Sequence, residues 1–386
     1  MRWAVAIAFL AMPAVRGGDP GRVQYQRLAN PELDPYTNSP TPVQQQWFRT
    51  HFARMAVFTP YFDAKTSWFP TSLVYVNLYG IPKESPVLRD HPEWALRDRK
   101  GNRLYIPWGC AKGTCPQYAG DIASAAFRAW WMDQAASTLA RGYLGFWIDD
   151  VNMEFRVSDG NGKQVPPLDS TTGQPMSWEA WRNHVAGFVE QIRKAFPNAE
   201  IVHNSIWFAG PAGVRDADPS IQRQTRACDN VNLERGIGSD PNLTGGTGEW
   251  SVHALFAYVD RVHALGRGVT LEDYAVDRPT QQYALAGYFL ISSGNDRMGD
   301  STTNPANWWA GYDVDLGTPL GGRTYENGIF ERKFTCGMVL LGEPGASRRT
   351  VNLGAALANM EGHLVRSVEL SGRQGIVLRG CPSESP

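Results

Sequence analysis

The sequence predicts an α/β fold: a (β/α)8 TIM barrel followed by a small C-terminal antiparallel β domain. Three observations lead there. From about residue 50 to 300, short apolar runs alternate with stretches of helical period, and that alternation calls for a parallel sheet. Eight runs can be counted, which favours closure into a barrel over an open sheet. After about residue 305 the chain changes to short alternating runs between turns, the pattern of antiparallel strands. No glycine-rich phosphate fingerprint follows the first strand, which weighs against a dinucleotide-binding sheet.

In chain order, residues 1–18 come first. Arg2 precedes an apolar stretch from Trp3 to Met12, then Pro13 and small residues, as in a secretory signal peptide. The run is shorter than the roughly 20 residues a membrane span needs, and no later segment is long and apolar enough for one. The barrel is expected over 19–304. Its strands are read at Met55–Phe58, Leu73–Tyr79, Gln117–Asp121 (a weaker candidate), Gly145–Ile148, Glu200–His203, Asn230–Leu233 and Gly268–Leu271. The eighth is placed at Tyr288–Ile291, closed by Ser293-Gly294-Asn295-Asp296. Between them, 123–140 carries Phe127, Trp130, Trp131 and Leu139 on roughly one face. The stretch 177–196 spaces Trp178, Trp181, Val185, Phe188, Val189 and Ile192 at helical period until Pro197-Asn198 stops it, and 250–265 does the same before Gly266. The β domain, sandwich-like, is expected over 305–386, from runs at Tyr312–Gly317, Ile329–Phe334, Gly337–Leu341, Arg349–Gly354 and two more within Val365–Leu378.

Composition narrows the function. Lys and Arg total 37 against 38 Asp and Glu, a net charge of -1, so the basic surplus of a nucleic-acid binder is missing. Fourteen Trp accompany 14 Tyr and 16 Phe. They can enlarge a core, and in loops they offer flat faces on which sugar rings stack. Among five cysteines, Cys110 and Cys115 bracket a short polar loop, Cys336 and Cys381 share the C-terminal segment, and Cys228 is left over. Two disulfides on that pattern would suit an exported protein, secreted or periplasmic. The spacing does not suit zinc.

The informative feature is where acids interrupt the apolar runs, because barrel active sites lie at the C-terminal strand ends. Asp149-Asp150 follows the fourth strand, Glu234 the sixth and Glu272-Asp273 the seventh, while Asp63 follows the first and Asp296 the eighth. A lone strand-end Asp is often an N-cap or turn former. Several at one mouth repel and desolvate one another, which separates a proton donor from an ionised base. Strands four and six share a layer, so Asp149 and Glu234 form the preferred catalytic pair. Asp150, Glu272, Asp63, Tyr79, Trp108, His203, Asn204, Trp207 and Asp296 are candidates for substrate binding. Tyr75 and Asn77 alternate with Tyr79 on the second strand, and the Trp308-Trp309 pair joins the possible sugar platforms. His203 reads equally well as a hydrogen-bonded core residue.

Gly145-Phe146-Trp147-Ile148-Asp149-Asp150-Val151 resembles the strand-four signature of glycosyl-hydrolase-like barrels, notably hypothetical glycosyl hydrolase family 15. His91-Pro92-Glu93-Trp94 with Asp98-Arg99-Lys100-Gly101 resembles a stretch before their third strand, and Tyr312 to Leu353 is similar to their terminal β domain. Leu340-Leu341-Gly342-Glu343-Pro344 departs from that pattern in the β domain. The endo-α-1,4-polygalactosaminidases are a more distant likeness, which implies Asp149 as nucleophile or base and Glu234 as acid. The expectation is therefore an exported glycoside hydrolase acting on a polysaccharide or oligosaccharide, with a lean towards retention. It would need no cofactor, although an acid-rich rim leaves room for a bound Ca²⁺. Two alternatives stand beside it: a barrel that binds carbohydrate without cleaving it, and a metal-dependent deacetylase or phosphodiesterase using His203.

Overall fold

Eight parallel strands close into a barrel: β1 (Tyr25–Leu28), β2 (Arg54–Val57), β3 (Ser72–Asn77), β4 (Gly145–Asp149), β5 (Glu200–Asn204), β6 (Asn230–Glu234), β7 (Gly268–Glu272) and β8 (Arg297–Asp300). Each pairs with its neighbour in the chain, and β8 returns to β1. This computed structural model describes residues 18–208, 218–274 and 277–381; the expected leader falls almost wholly outside them. Around the barrel lie α1 (Pro42–His51), α2 (Ala125–Leu139), α3 (Trp178–Ala195), α4 (Pro219–Ala227), α5 (Val252–Ala264) and α6 (Arg278–Ile291). Ser124, Ser177 and Ser251 start α2, α3 and α5 by accepting the N–H three residues on, each satisfying a donor the helix leaves free. Among the described residues, no helix is long and apolar enough to cross a membrane.

Two strand expectations fail in opposite directions and offset each other, so strands four to seven keep their ordinals. The true β1, Tyr25-Gln26-Arg27-Leu28, carries two polar residues and shows no apolar run. It is nonetheless buried, because Arg27 Nε donates to the Thr303 carbonyl at 2.5 Å and Gln26 bonds inside the barrel. Gln117–Ala119 is not a barrel strand; it pairs antiparallel with Gly80–Pro82 in an excursion leaving the end of β3. Tyr288–Ile291 belongs to α6, and β8 is the polar segment Arg297–Asp300 further on. A four-residue apolar run is equally compatible with a buried helical turn and a strand.

The barrel interior is layered. Ala56, Leu73, Trp147 and Val202 form a small apolar plug at mid-height. At the strand starts, the Glu200 carboxylate takes a fork from Arg54 (2.6–3.0 Å) and a second guanidinium from Arg297 (2.8 Å). Towards the strand ends, the interior is lined by polar side chains.

The chain then builds β9 (Thr324–Glu326), β10 (Ile329–Phe334), β11 (Gly337–Gly342), β12 (Arg349–Ala358), β13 (Leu364–Leu370) and β14 (Gly375–Arg379). They form one sheet in the order β9-β10-β11-β14-β12-β13. The sheet rests on α6. A Cβ on Gly375 would stand 2.6 Å from the Gln282 carbonyl, so only glycine allows this approach. The run Tyr312–Gly317 is not a strand: its first part lies in a 3-10 turn, Ala310–Asp313, and its later part ties back to the N-terminal segment through Arg22 and Asp315. Disulfides join Cys110 to Cys115 and Cys336 to Cys381, and Cys228 is free and buried.

Candidate active site

Asp149 ends β4 with its side chain in the mouth, two residues beyond the interior Trp147 as strand alternation requires. The next residue, Asp150, adopts a left-handed backbone (φ 58°), which ends the strand. Its own N–H turns back to Asp149 Oδ1 at 2.8 Å. Tyr75 O–H donates to the other oxygen, Oδ2, at 2.5 Å. Burial and the Asp149 charge push the Tyr75 hydroxyl pKa up, so it stays a donor.

Glu234 ends β6 and is exposed to solvent. Arg235 behind it is likewise left-handed (φ 68°). Non-glycine residues rarely adopt that conformation, yet it follows directly after both acids of the preferred pair. Asn204, at the end of β5 between them, joins the two. Its Nδ2 donates to Asp149 Oδ1 at 2.8 Å and to Glu234 Oε1 at 2.7 Å. Two oxygens bonded to one nitrogen can be no further apart than those two bonds laid end to end.

A second rank of acids lies deeper. Glu272 ends β7 fully buried; Asn232 Nδ2 donates to it at 2.7 Å and Tyr274 O–H at 3.2 Å. Burial, with the charges of Glu234 and Asp149 adding to it, pushes its carboxyl up to about 7. Asp150 accepts from Asn77 at 2.7 Å and Asn152 at 3.2 Å, with Arg156 at 3.6 Å. Burial and then Asp149 push Asp150 up to about 6. Asp273 points elsewhere, clamping the loop after β6 through the N–H groups of Gly238 and Ser239, both at 2.8 Å. The mouth therefore holds two buried carboxyls, Glu272 and Asp150, whose proton affinity is raised.

Of the sequence candidates, Asp149, Glu234, Asn204, Glu272 and Asp150 converge; the others do not. Asp296 precedes β8 and bonds the Val269 N–H at the start of β7 and Ser293, which places it at the opposite end of the barrel. Its displacement follows from the misplaced eighth strand. Asp63 opens a one-turn helix after β2 and is held by Arg141 (2.9 Å) and Tyr143. His203 faces outward from β5 onto Gln224 of α4 (2.9 Å), fully buried, and burial lowers it to about 3. It is the core histidine, and the metal-dependent alternative loses the residue it rested on. Among the described residues, no group of three or more His, Cys, Asp or Glu is arranged to hold a metal ion. Tyr79 is buried edge-on against Trp181. Trp207 is buried beside Phe208 and Trp250, and Trp308 packs among Tyr25, Trp47 and Phe52. Trp108 is half exposed on the excursion after β3. The site also includes Tyr75, Asn77, Asn232 and Tyr274. For Asn232 the signal was present, a polar residue two positions before Glu234 and so on the same face of the strand.

The model of hypothetical glycosyl hydrolase family 15 matches residues 75–338, a span that contains every acid of the converged cluster. The chain belongs to this family. It is a glycoside hydrolase, and its reaction is hydrolysis of glycosidic bonds. No curated protein matches the chain. Among solved structures, the maltogenic α-amylase AmyB of Thermotoga neapolitana is 11% identical with a TM-score of 0.53, over 94% of this chain and 99% of that one. Amy13B of Eubacterium rectale is 8% identical with a TM-score of 0.54, over 95% and 97%. The glycoside hydrolase domain of PelA from Pseudomonas aeruginosa is 14% identical with a TM-score of 0.43, over 72% and 100%. For AmyB and Amy13B, at these identities, the likeness is one of fold.

Proposed function

We propose that the enzyme cleaves a polysaccharide or oligosaccharide by the retaining route, with Asp149 as nucleophile and Glu234 as acid and then base. The observation that carries this reading is the Asn204 amide shared by both carboxylates. Retaining glycosidases keep their two carboxyls about 5–5.5 Å apart, whereas inverting ones leave roughly 6.5–9.5 Å for a water. A shared donor fits the shorter spacing. Asp149 suits attack because three donors pin its oxygens inside the mouth. Glu234 suits proton transfer because it stands open to solvent, where a leaving group departs and water enters. Asp150, Glu272 and the exposed ring of Tyr274 would contact the sugar at the mouth, and Trp108, outside the converged cluster, would meet only a glycan that extends onto the excursion after β3. The barrel over 19–304 would carry the chemistry, with 305–386 as its β domain. Two disulfides support an oxidising compartment, secreted or periplasmic.

A polysaccharide panel with product sizing identifies the substrate, and ¹H NMR of the first product reads its anomeric configuration. The configuration should be retained. On the substrate found, Asp149→Asn and Glu234→Gln should each lower turnover at least about 10²-fold, the range of positioned acid–base groups. Full activity in both variants, or an inverted first product, would overturn the assignment.

A further inference from the structure

The amide of Asn204 can serve both carboxylates only if its NH2 faces them, and what holds it that way is a chain of amides through the barrel. We infer that Gln26 and Asn232 are positioning residues that set the Asn204 amide from the far end of the barrel. The inference rests on the reading of Asp149 and Glu234 as the reacting pair.

The chain starts at the buried ion group at the strand bottoms. Arg297 binds Glu200 at 2.8 Å with one terminal nitrogen. With the other it donates to Gln26 Oε1 at 3.4 Å. A guanidinium has donors and no acceptor, so Gln26 must present its oxygen here. Its Nε2 is thereby left to donate onwards, to Asn232 Oδ1 at 3.3 Å. That in turn commits Asn232 Nδ2 to the far side, where it donates to Asn204 Oδ1 at 3.0 Å and Glu272 Oε2 at 2.7 Å. Asn204, its oxygen occupied, turns Nδ2 to Asp149 and Glu234. One end of the chain can only donate, and an ionised carboxylate at the other can only accept, so both ends impose the same polarity on three amides that could each otherwise flip.

Every member before the catalytic carboxylates is buried: Arg297, Gln26, Asn232 and Asn204 are at most 6% exposed. Water is therefore a poor substitute partner, and a wrongly turned amide would leave a donor or acceptor unsatisfied. Three of the four lie on strands far from one another in sequence (β8, β1 and β6), which the barrel's closure between β8 and β1 brings into reach. A flipped Asn204 would point its oxygen at two carboxylates and force them apart.

The test is Gln26→Glu, which keeps an acceptor for Arg297 and deletes the donor to Asn232, alongside Gln26→Met, which deletes both. Side-chain amide NMR on ¹⁵N-labelled protein, with Asn204→Asp to assign the signal, reads the Asn204 NH2 without any substrate. Its protons should exchange with solvent at least about tenfold faster in Gln26→Glu than in the parent. On the panel glycan cleaved fastest, kcat should fall about tenfold or more while KM stays within about twofold, the split expected when transition-state geometry is lost and ground-state binding is kept. Should Gln26→Met fail to fold, Gln26→Glu still decides, because the Arg297 contact is preserved. Unchanged Asn204 exchange and parental kcat in Gln26→Glu, with Asp149→Asn inactive, would refute the relay and leave the catalytic pair standing. Full turnover in Asp149→Asn would remove the pair and this inference with it.

Discussion

Glu272→Gln is the perturbation whose effect on stability can be worked out most fully. Folding raises this carboxyl from 4.5 to about 7, chiefly because burial penalises the charge. Between those two values the native state holds a proton that the unfolded chain has released. The native state therefore binds more protons, and stability falls as pH rises across this window. At pH 8 the full penalty is present. Each pKa unit corresponds to 1.36 kcal/mol, so it amounts to about 3 kcal/mol at the outside. Glutamine has the same shape, keeps an oxygen for Asn232 Nδ2, and never ionises. Its advantage over the parent should grow by up to about 3 kcal/mol from pH 4.5 to pH 8. Urea denaturation at several pH values, followed by Trp fluorescence, measures this directly. The parent's midpoint should drop towards pH 8, while that of Glu272→Gln drops less. A constant difference between the two proteins at pH 4.5 and pH 8 would refute the reasoning and mean that the mouth solvates a Glu272 anion as well as water does.

Two further predictions concern the scaffold. Glu200 is the reverse case: burial raises its carboxyl, but Arg297 and Arg54 outweigh that and hold it below the usual range. Removing it leaves the buried Arg297 and the partly buried Arg54 without a counter-charge, so Glu200→Gln should cost roughly 3–5 kcal/mol of unfolding free energy, read as a lowered denaturation midpoint at pH 7. The Cys336–Cys381 disulfide closes a loop of 45 residues, worth about 4 kcal/mol by loop entropy. Cys336→Ser with Cys381→Ser should therefore lower the thermal midpoint well beyond a Cys110→Ser, Cys115→Ser pair, whose loop spans only 5 residues.

Asp149 and Glu234 could be singled out in the sequence because each follows a short strand-like run, Gly145–Ile148 and Asn230–Leu233, and a carboxylate at the end of such a run must face the mouth or solvent. Asp296 broke that logic. It follows an apolar run that is in fact the last turn of α6, so it precedes a strand and sits at the wrong end. The polar strands β1 and β8 were invisible for a related reason. Their buried residues Gln26, Arg27 and Arg297 are satisfied by partners more than 90 residues away, and periodicity registers hydrophobicity and cannot register pairing.

The amino-acid order by itself determined the barrel class, the approximate helix spans and the strand-end acids, because these depend on neighbours within a few residues. Only the tertiary structure decided which acids meet, which histidine is buried, and how Gln26 and Asn232 connect Arg297 to Asn204. Those relations arise when the sheet closes on itself, and a hydrogen bond across that closure depends on distance in space and not on separation along the chain.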